Sequence, residues 1–233
     1  LNVGGFDGVT VTGGMRYDGR NEDQRWERRE IRATRDFFGS AIRATAGEFT
    51  PSSVGFQGAS RILGIGVERA YSTIRPFQNV RPIGRRDFEI DRESSVDVYV
   101  NDIRVRTIRL PAGRYDIGDF PFASGPNNVR LVVDNVGGRQ EILDFNIFSG
   151  AELLSPNITE FGAAIGLREG EERLTYRSPA ATAHAYHGLS DNLALGVNGQ
   201  ATNLGLQMGG AVLWGAPFGF VQMELSGSRS FKG

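Results

Sequence analysis

From Leu193 onward the side chains separate into two sets. Leu193, Leu195, Val197, Gly199 and Ala201 share one face of an extended chain, and Ala194, Gly196, Asn198, Gln200 and Thr202 share the other. Side chains on a strand point alternately to its two faces, so this run predicts a strand with one apolar face and one small or polar face. The pattern repeats where Leu204, Leu206, Met208, Gly210, Val212 and Trp214 oppose Gly205, Gln207, Gly209, Ala211 and Leu213. After a turn at Ala216-Pro217, Val221, Met223 and Leu225 oppose Phe220, Gln222, Glu224 and Ser226. Three successive strands at hairpin spacing predict an antiparallel meander. Each approaches the roughly nine to eleven residues that a tilted strand needs to cross a bilayer. Tyr186, Trp214 and Phe218 are expected near strand ends, as an interfacial girdle would have them. A soluble sandwich also alternates, so alternation alone fits both.

Composition removes several other classes. There is no cysteine among the 233 residues, which excludes disulfides, zinc–thiolate sites and thiol nucleophiles. The net charge is −1, so nothing points to nucleic acid or another bulk electrostatic partner. Lys232 is the sole lysine, and every other basic side chain of the Lys/Arg class is arginine. No apolar run is long enough for a transmembrane helix, a fact that leaves a barrel untouched because a barrel hides its lipid face in every second residue. Glycine is frequent, 32 residues, without a collagen period. The chain opens at Leu1 and ends at Phe231-Lys232-Gly233, and is read as a fragment of a longer protein.

Residues 85–148 have a different texture. Val96, Val98 and Val100 alternate with Asp97 and Tyr99; Asn101-Asp102 breaks the run, and Ile103 to Leu110 returns. That predicts a hairpin. Leu110-Pro111-Ala112-Gly113-Arg114-Tyr115-Asp116-Ile117-Gly118-Asp119-Phe120 follows, where proline and glycine turn a corner. Ser124-Gly125-Pro126-Asn127-Asn128 predicts a second turn, Val129, Leu131 and Val133 a strand, and Glu141 to Phe148 a last strand after Gly137-Gly138. Five short extended pieces in this space predict a small β-sandwich.

The order strand, Tyr99-Val100-Asn101-Asp102, Leu110-Pro111-Ala112-Gly113-Arg114-Tyr115-Asp116-Ile117-Gly118-Asp119, then Asn127 to Val133, Phe145 to Phe148 and Leu153-Leu154, resembles the plug domain of outer-membrane fimbrial ushers of the chaperone–usher pathway. Pro111, Gly113, Tyr115, Asp116 and Asp119 carry the most specific part of it. The resemblance spans roughly residues 30–233 and is strongest over 85–166. It implies an all-β fold: antiparallel transmembrane barrel strands forming part of a barrel, with a small Ig-like β-sandwich plug inserted. The implied division is barrel strands and linker in 1–84, plug in 85–148 and barrel strands in 149–233. The implied function is a pore in the bacterial outer membrane that assembles and secretes pilus subunits delivered by a periplasmic chaperone, with 85–148 as its gate. Partners would be chaperone–subunit complexes, through domains outside this fragment, and outer-membrane lipid, with no nucleic acid, small-molecule substrate, cofactor or metal. Arg85, Arg86, Arg104, Arg106 and Arg109 are candidates to hold the plug in a polar lumen. The alternative is a soluble, secreted β-sandwich binding module such as an adhesin piece.

The first flank is less regular. Val9 to Thr12 predicts a short strand, Trp26 to Thr34 a charged strand with Arg28, Glu30 and Arg32 on one face, and Phe38 to Thr45 another. Between Ser52 and Pro82 the glycine load argues against helix, and Pro76, Pro82 and Gly84 fit a linker. Thr159 to Leu167 and Thr182 to His187 predict strands, with Glu169-Gly170-Glu171-Glu172 and Gly188 to Asn192 as turns.

No motif carries catalysis. His184 and His187 are three apart on a strand and so point to opposite faces, which defeats a shared metal. Glu169, Glu171 and Glu172 beside Gly170 read as a solvated turn, and a glycan hydrolase using paired carboxylates ranks last. Asp97, Asp102, Asp116 and Asp119 lack calcium-loop spacing. Gly64-Ile65-Gly66 lacks the third glycine and the helix of a dinucleotide site.

Overall fold

The computed structural model describes residues 2–3, 8–17, 26–69, 71–78, 80–82, 87–116, 125–135, 138–149, 153–216 and 218–231. The first part of the chain runs β1 (Asn2–Val3), β2 (Val9–Thr12), a side hairpin of β3 (Met15–Tyr17) and β4 (Trp26–Arg28), then β5 (Arg32–Phe37), β6 (Ile42–Phe49) and β7 (Ile62–Arg69). One helical turn, α1 (Tyr71–Ile74), leads to β8 (Asp87–Ile90), β9 (Ser94–Val100), β10 (Ile103–Leu110), β11 (Gly113–Asp116), β12 (Gly125–Asn135) and β13 (Gly138–Ser149). The last part is β14 (Thr159–Glu169), β15 (Tyr176–Ser190), β16 (Leu193–Thr202), β17 (Gly205–Ala216) and β18 (Gly219–Ser230).

Both flanks contribute to a single ten-stranded antiparallel sheet, ordered β1-β2-β5-β6-β7-β14-β15-β16-β17-β18. It is open: β1 and β18 are its edges. Its register sorts the side chains into rows running across the strands. Val11, Ala33, Ala46, Ile65, Ile165, Ala181, Ala201 and Leu206 form one row. The adjacent row, one residue along, reads Thr10, Thr34, Thr45, Gly66, Ala164, Thr182, Gln200, Gln207 and Ser228. The next polar row holds Asp36, Arg43, Glu68, Gly162, His184, Asn198, Gly209 and Ser226. From β2 to β17 the first row is apolar, ending against Arg229 on β18, while the two other rows are mostly polar or small.

The apolar face is uncovered. Leu63, Ile65, Val67, Ile165, Leu195, Leu206, Met208 and Met223 are exposed, Val197 is 62% exposed and Leu225 82%. The polar face carries what little core the wall has. Rings lie flat over glycines there: a Cβ on Gly196 would sit 2.4 Å from the Tyr186 ring, and one on Gly66 would sit 2.8 Å from that of Phe49. Tyr186 thus packs inside the polar face with Leu153 and Leu213 instead of joining an interfacial girdle. Trp214 and Phe218 do meet at one strand end, edge to face, 5.9 Å apart.

Between β7 and β14, which pair directly, the chain leaves the wall and builds two smaller sheets, β10-β9-β12-β13 and β11-β8. Their inner faces bury Ile90, Val96, Val98, Leu131 and Val133, closed by Phe88, Leu110, Tyr115, Leu143 and Phe145. This is the small sandwich. Asn101 and Asp102, at φ 51° and 64°, make the two-residue hairpin turn that the Asn-Asp pair predicts. β12 and β13 come within 8 Å, between Cα atoms, of β18 and β17 of the wall.

Several local expectations needed revision. Residues 125–128, expected as a turn, already belong to β12 and pair with 146–149 of β13. The corner after Leu110 contains a strand, β11, paired with β8 (Asp87–Ile90), which no alternation announces in four residues. The charged segment from Trp26 is broken between β4 and β5. There Gly47, at φ +114°, brings its backbone against Ile31, where a Cβ would stand 2.5 Å from the Ile31 carbonyl oxygen. Phe38 to Ala41 is a turn, not strand, with Ala41 at φ 55° and fully buried beside Tyr71 and Val80. The linker contains the helical turn α1, and β15 continues through Gly188 to Ser190.

Candidate functional site

The polar face of the wall, with the loop and necks folded onto it, is where the chain concentrates its specific polar contacts. Residues 50–61, between β6 and β7, do not extend beyond the strand ends. They lie across the wall toward β18. Gln57, buried, donates from Nε2 to Thr182 Oγ1 (3.0 Å), the Ala183 carbonyl (2.9 Å) and the Gly199 carbonyl (2.7 Å). Gly58 N donates to Gln200 Oε1 at 2.9 Å, and Gln200 Nε2 returns a bond to the Gly58 carbonyl at 3.1 Å. Gly55 lies against the Glu224 carboxylate, which also accepts from Gln222 Nε2 at 2.6 Å. The neighbouring His184 Nδ1 and Asn198 Oδ1 are buried without a protein partner among the described residues. Buried polar atoms of this kind call for polar company.

The two necks of the sandwich are fastened to the wall and to each other. Ser155 N donates to the Val80 carbonyl at 2.9 Å, and Arg81 Nη1 to the Leu153 carbonyl at 3.1 Å. Leu153, with no exposed surface, fills a pocket made by Ala194, Ala211 and Leu213 with Tyr186 and Phe220. Arg75 caps the opposite turn, donating to the carbonyls of Phe38 (2.7 Å) and Gly39 (2.6 Å).

At the other end of the strands an ionic cluster ties the side hairpin to the wall. Arg28 grips Glu48 with two bonds, 2.6 and 2.7 Å, while Ile31 N donates to the same carboxylate at 2.8 Å. The Glu48 hydrogen bond holds the Arg28 guanidinium above its ordinary pKa. Arg61 reaches both Glu30 (3.5 Å) and Glu169 (3.4 Å), and Arg173 pairs with Glu27. Glu169 also caps its turn by accepting from Leu174 N at 2.8 Å. It is a structural carboxylate here.

The sequence candidates fall as follows. Tyr115 Oη donates to the Pro111 carbonyl at 2.9 Å and its ring meets Phe88 at 5.7 Å, so Pro111, Gly113 and Tyr115 form one closed corner. Asp116 ends β11 opposite Asp87. Asp119, Arg85 and Arg86 lie outside the described residues. Arg104, Arg106 and Arg109 are exposed on β10, the edge of its sheet, with a bulge between Arg104 and Arg106. Arg104 stands 3.7 Å from Asp97 of the same sheet, and Asp97 accepts from Thr107 at 2.6 Å. His184 and His187 face opposite sides: His184 pairs in register with Asn198, and His187 with Leu195, its Nδ1 2.7 Å from Thr159 Oγ1. Gln57 and the Arg28–Glu48 pair escaped sequence reading, and the pocket that Leu153 fills was not foreseen although Leu153-Leu154 was singled out. Each works through a partner more than 15 positions away, and nothing local marks it.

No family model matches the sequence, and no curated protein matches it. Solved structures do. The chain is similar to a chain of the E. coli P pilus tip assembly intermediate PapC–PapD–PapK–PapG, at 17% identity and a TM-score of 0.55. The match covers 97% of this chain and 29% of that one. It also aligns with the translocation pore of the usher PapC, at 17% identity over 95% of this chain and 50% of that chain, with a TM-score of 0.46. The first likeness supports the fold, an all-β arrangement of antiparallel sheets.

Proposed function

We propose that this chain supplies part of the wall and the gate of an usher-type pore in the bacterial outer membrane. The pore would pass pilus subunits brought by a periplasmic chaperone. The observation that carries this is the two-sided wall: a continuous apolar face lies uncovered, while the opposite face is polar, glycine-rich and furnished with an infolded loop. Strands of ten to fifteen residues, β14 to β18, are long enough to cross a bilayer when tilted. Hydrocarbon would cover the apolar side and water the other. The sandwich leaves and rejoins the wall between two adjacent strands, so it can sit in or beside the lumen without interrupting the wall.

On this reading the chain performs no catalysis and uses no cofactor. Transport would be driven by strand exchange between the passing subunits, a form of β-augmentation. Residues 85–148 would act as the stopper.

The test is conductance. In the full-length protein, residues 85–148 are replaced by a short linker joining residues 84 and 149, since the flanking strands β7 and β14 are neighbours already. Planar-bilayer recordings should then show a large, persistently open channel where the intact protein is mostly closed. An unchanged conductance defeats the gate, and partition of the intact protein into the aqueous phase defeats the pore in favour of a secreted binding module.

A further inference from the structure

The apolar face of the wall is not uniform. Across β2 to β15 it sinks into a groove of about 750 Å³. The register explains the depression: Ala44 and Ala163 lie in one row, and Ala46 and Ala181 in the next, so methyl groups form the floor. Ile65 and Ile165 rise beside them. A groove of this size falls in the range that accommodates small apolar ligands.

One charged side chain, Arg35, lines it. It sits in the row of Ala44 and Ala163, among the aliphatic side chains that line the groove. Among the described residues Arg35 has no carboxylate partner. Its guanidinium lies 4.9 Å from the Phe37 ring centroid, so it leans toward the strand ends. Arg69, in the row of Phe37 and Ile42, stands over Phe161 at 5.2 Å and donates to the Thr159 carbonyl. A cation on a lipid-facing wall is costly unless it reaches the interface or finds an anion. The groove thus has the layout of an amphiphile: a long apolar bed with an unpaired cation at its lip.

We propose that this groove binds one acyl chain of an anionic membrane lipid, whose headgroup phosphate is held by Arg35 with Arg69 near by. The assignment rests on the outer-membrane reading above and adds to it a specific lipid site. Charge complementarity selects the anionic lipid, because a zwitterionic head brings its own cation, and a free phosphate would leave the apolar bed unused.

The probe is the full-length protein in nanodiscs of phosphatidylcholine mixed with phosphatidylglycerol, released in native mass spectrometry. Heat-modifiable gel migration first confirms insertion. The wild-type should retain phosphatidylglycerol in preference to phosphatidylcholine. Arg35→Gln should lower that adduct about fivefold, the effect of one cation near an anionic surface. Ala46→Phe, which fills the bed and leaves Arg35 in place, should abolish it. Undiminished adducts in Arg35→Gln, equal retention of both lipids, or a second copy of the chain occupying the face overturn the lipid site and leave the pore standing. A protein that fails to insert overturns both.

Discussion

Val98 in the sandwich and Val197 in the wall are the same residue in the same kind of alternating strand. Val98 is 1% exposed and Val197 62%. The difference lies in what stands opposite. β9 faces a second layer, β8 and β11, whose Ile90, Phe88 and Tyr115 complete a core. The outer side of β16 faces no second layer among the described residues. Period-two alternation therefore fixes which side chains share a face, and the environment of that face is decided by layers the strand does not encode. The comparison also assigns the source of stability: the sandwich is stabilised by its own core, whereas the wall depends on its hydrogen-bonded ladder, a thin inner packing and whatever covers its apolar side.

The largest way to break that comparison is to place a carboxylate in each region. Val98→Asp buries an unpaired charge and should cost the sandwich several kcal/mol, enough to unfold it. The wall should survive. Both tryptophans, Trp26 and Trp214, lie outside the sandwich. Limited proteolysis within residues 87–149 should therefore rise sharply while tryptophan emission stays native. Loss of both signals together would show that the two regions fold as one unit.

A smaller effect sharpens the other half. Val197→Arg puts a cation on the wall's apolar face and should reduce insertion stability by about 2–4 kcal/mol if the site lies at mid-bilayer. The matched change in the sandwich, Ile103→Arg at an exposed edge position, should stay within about 0.5 kcal/mol. Urea titration of the protein in lipid vesicles measures both. Equal, negligible shifts would mean that water, not hydrocarbon, covers Val197.

How much of this was visible beforehand follows the range of the interactions. β16 was expected at Leu193 to Thr202, and those are its bounds. Its pattern is local and uninterrupted. The hairpin at Asn101-Asp102 was equally plain, because a two-residue left-handed turn selects its residues. Less was legible where a strand is short or its partner remote. β8 has four residues, and it is a strand because β11 pairs with it. The break before β5 depends on Gly47 and Glu48 of the next strand. In the candidate site the Pro111–Tyr115 corner was readable because both ends of its bond lie within five residues, whereas Gln57 finds its acceptors 125 or more positions away.

Gln57 also offers the next test, because it joins the loop to the wall without touching the sandwich core. Gln57→Ala removes a buried amide that serves three acceptors and should cost about 1–3 kcal/mol. The loss should appear as faster proteolysis at residues 50–61, with the sandwich cut no faster than before. If sandwich and loop loosen together, the infolded loop is part of the sandwich's seat and not merely a lining of the wall.

The smallest expected effect isolates the sandwich alone. Tyr115→Phe removes one neutral hydrogen bond, from Tyr115 Oη to the Pro111 carbonyl, and keeps the ring against Phe88. A neutral bond at a partly exposed corner is worth about 0.5–1.5 kcal/mol. Proteolysis within 87–149 should therefore accelerate by about two- to tenfold if cleavage follows the open population. Tryptophan emission and vesicle insertion should not move. The four results rank by what surrounds each side chain, not by sequence pattern. Val98 and Val197 occupy indistinguishable strands, yet only Val98 should lose its fold to a charge, because only Val98 is packed in a core, and Tyr115 should matter only as far as its single bond reaches.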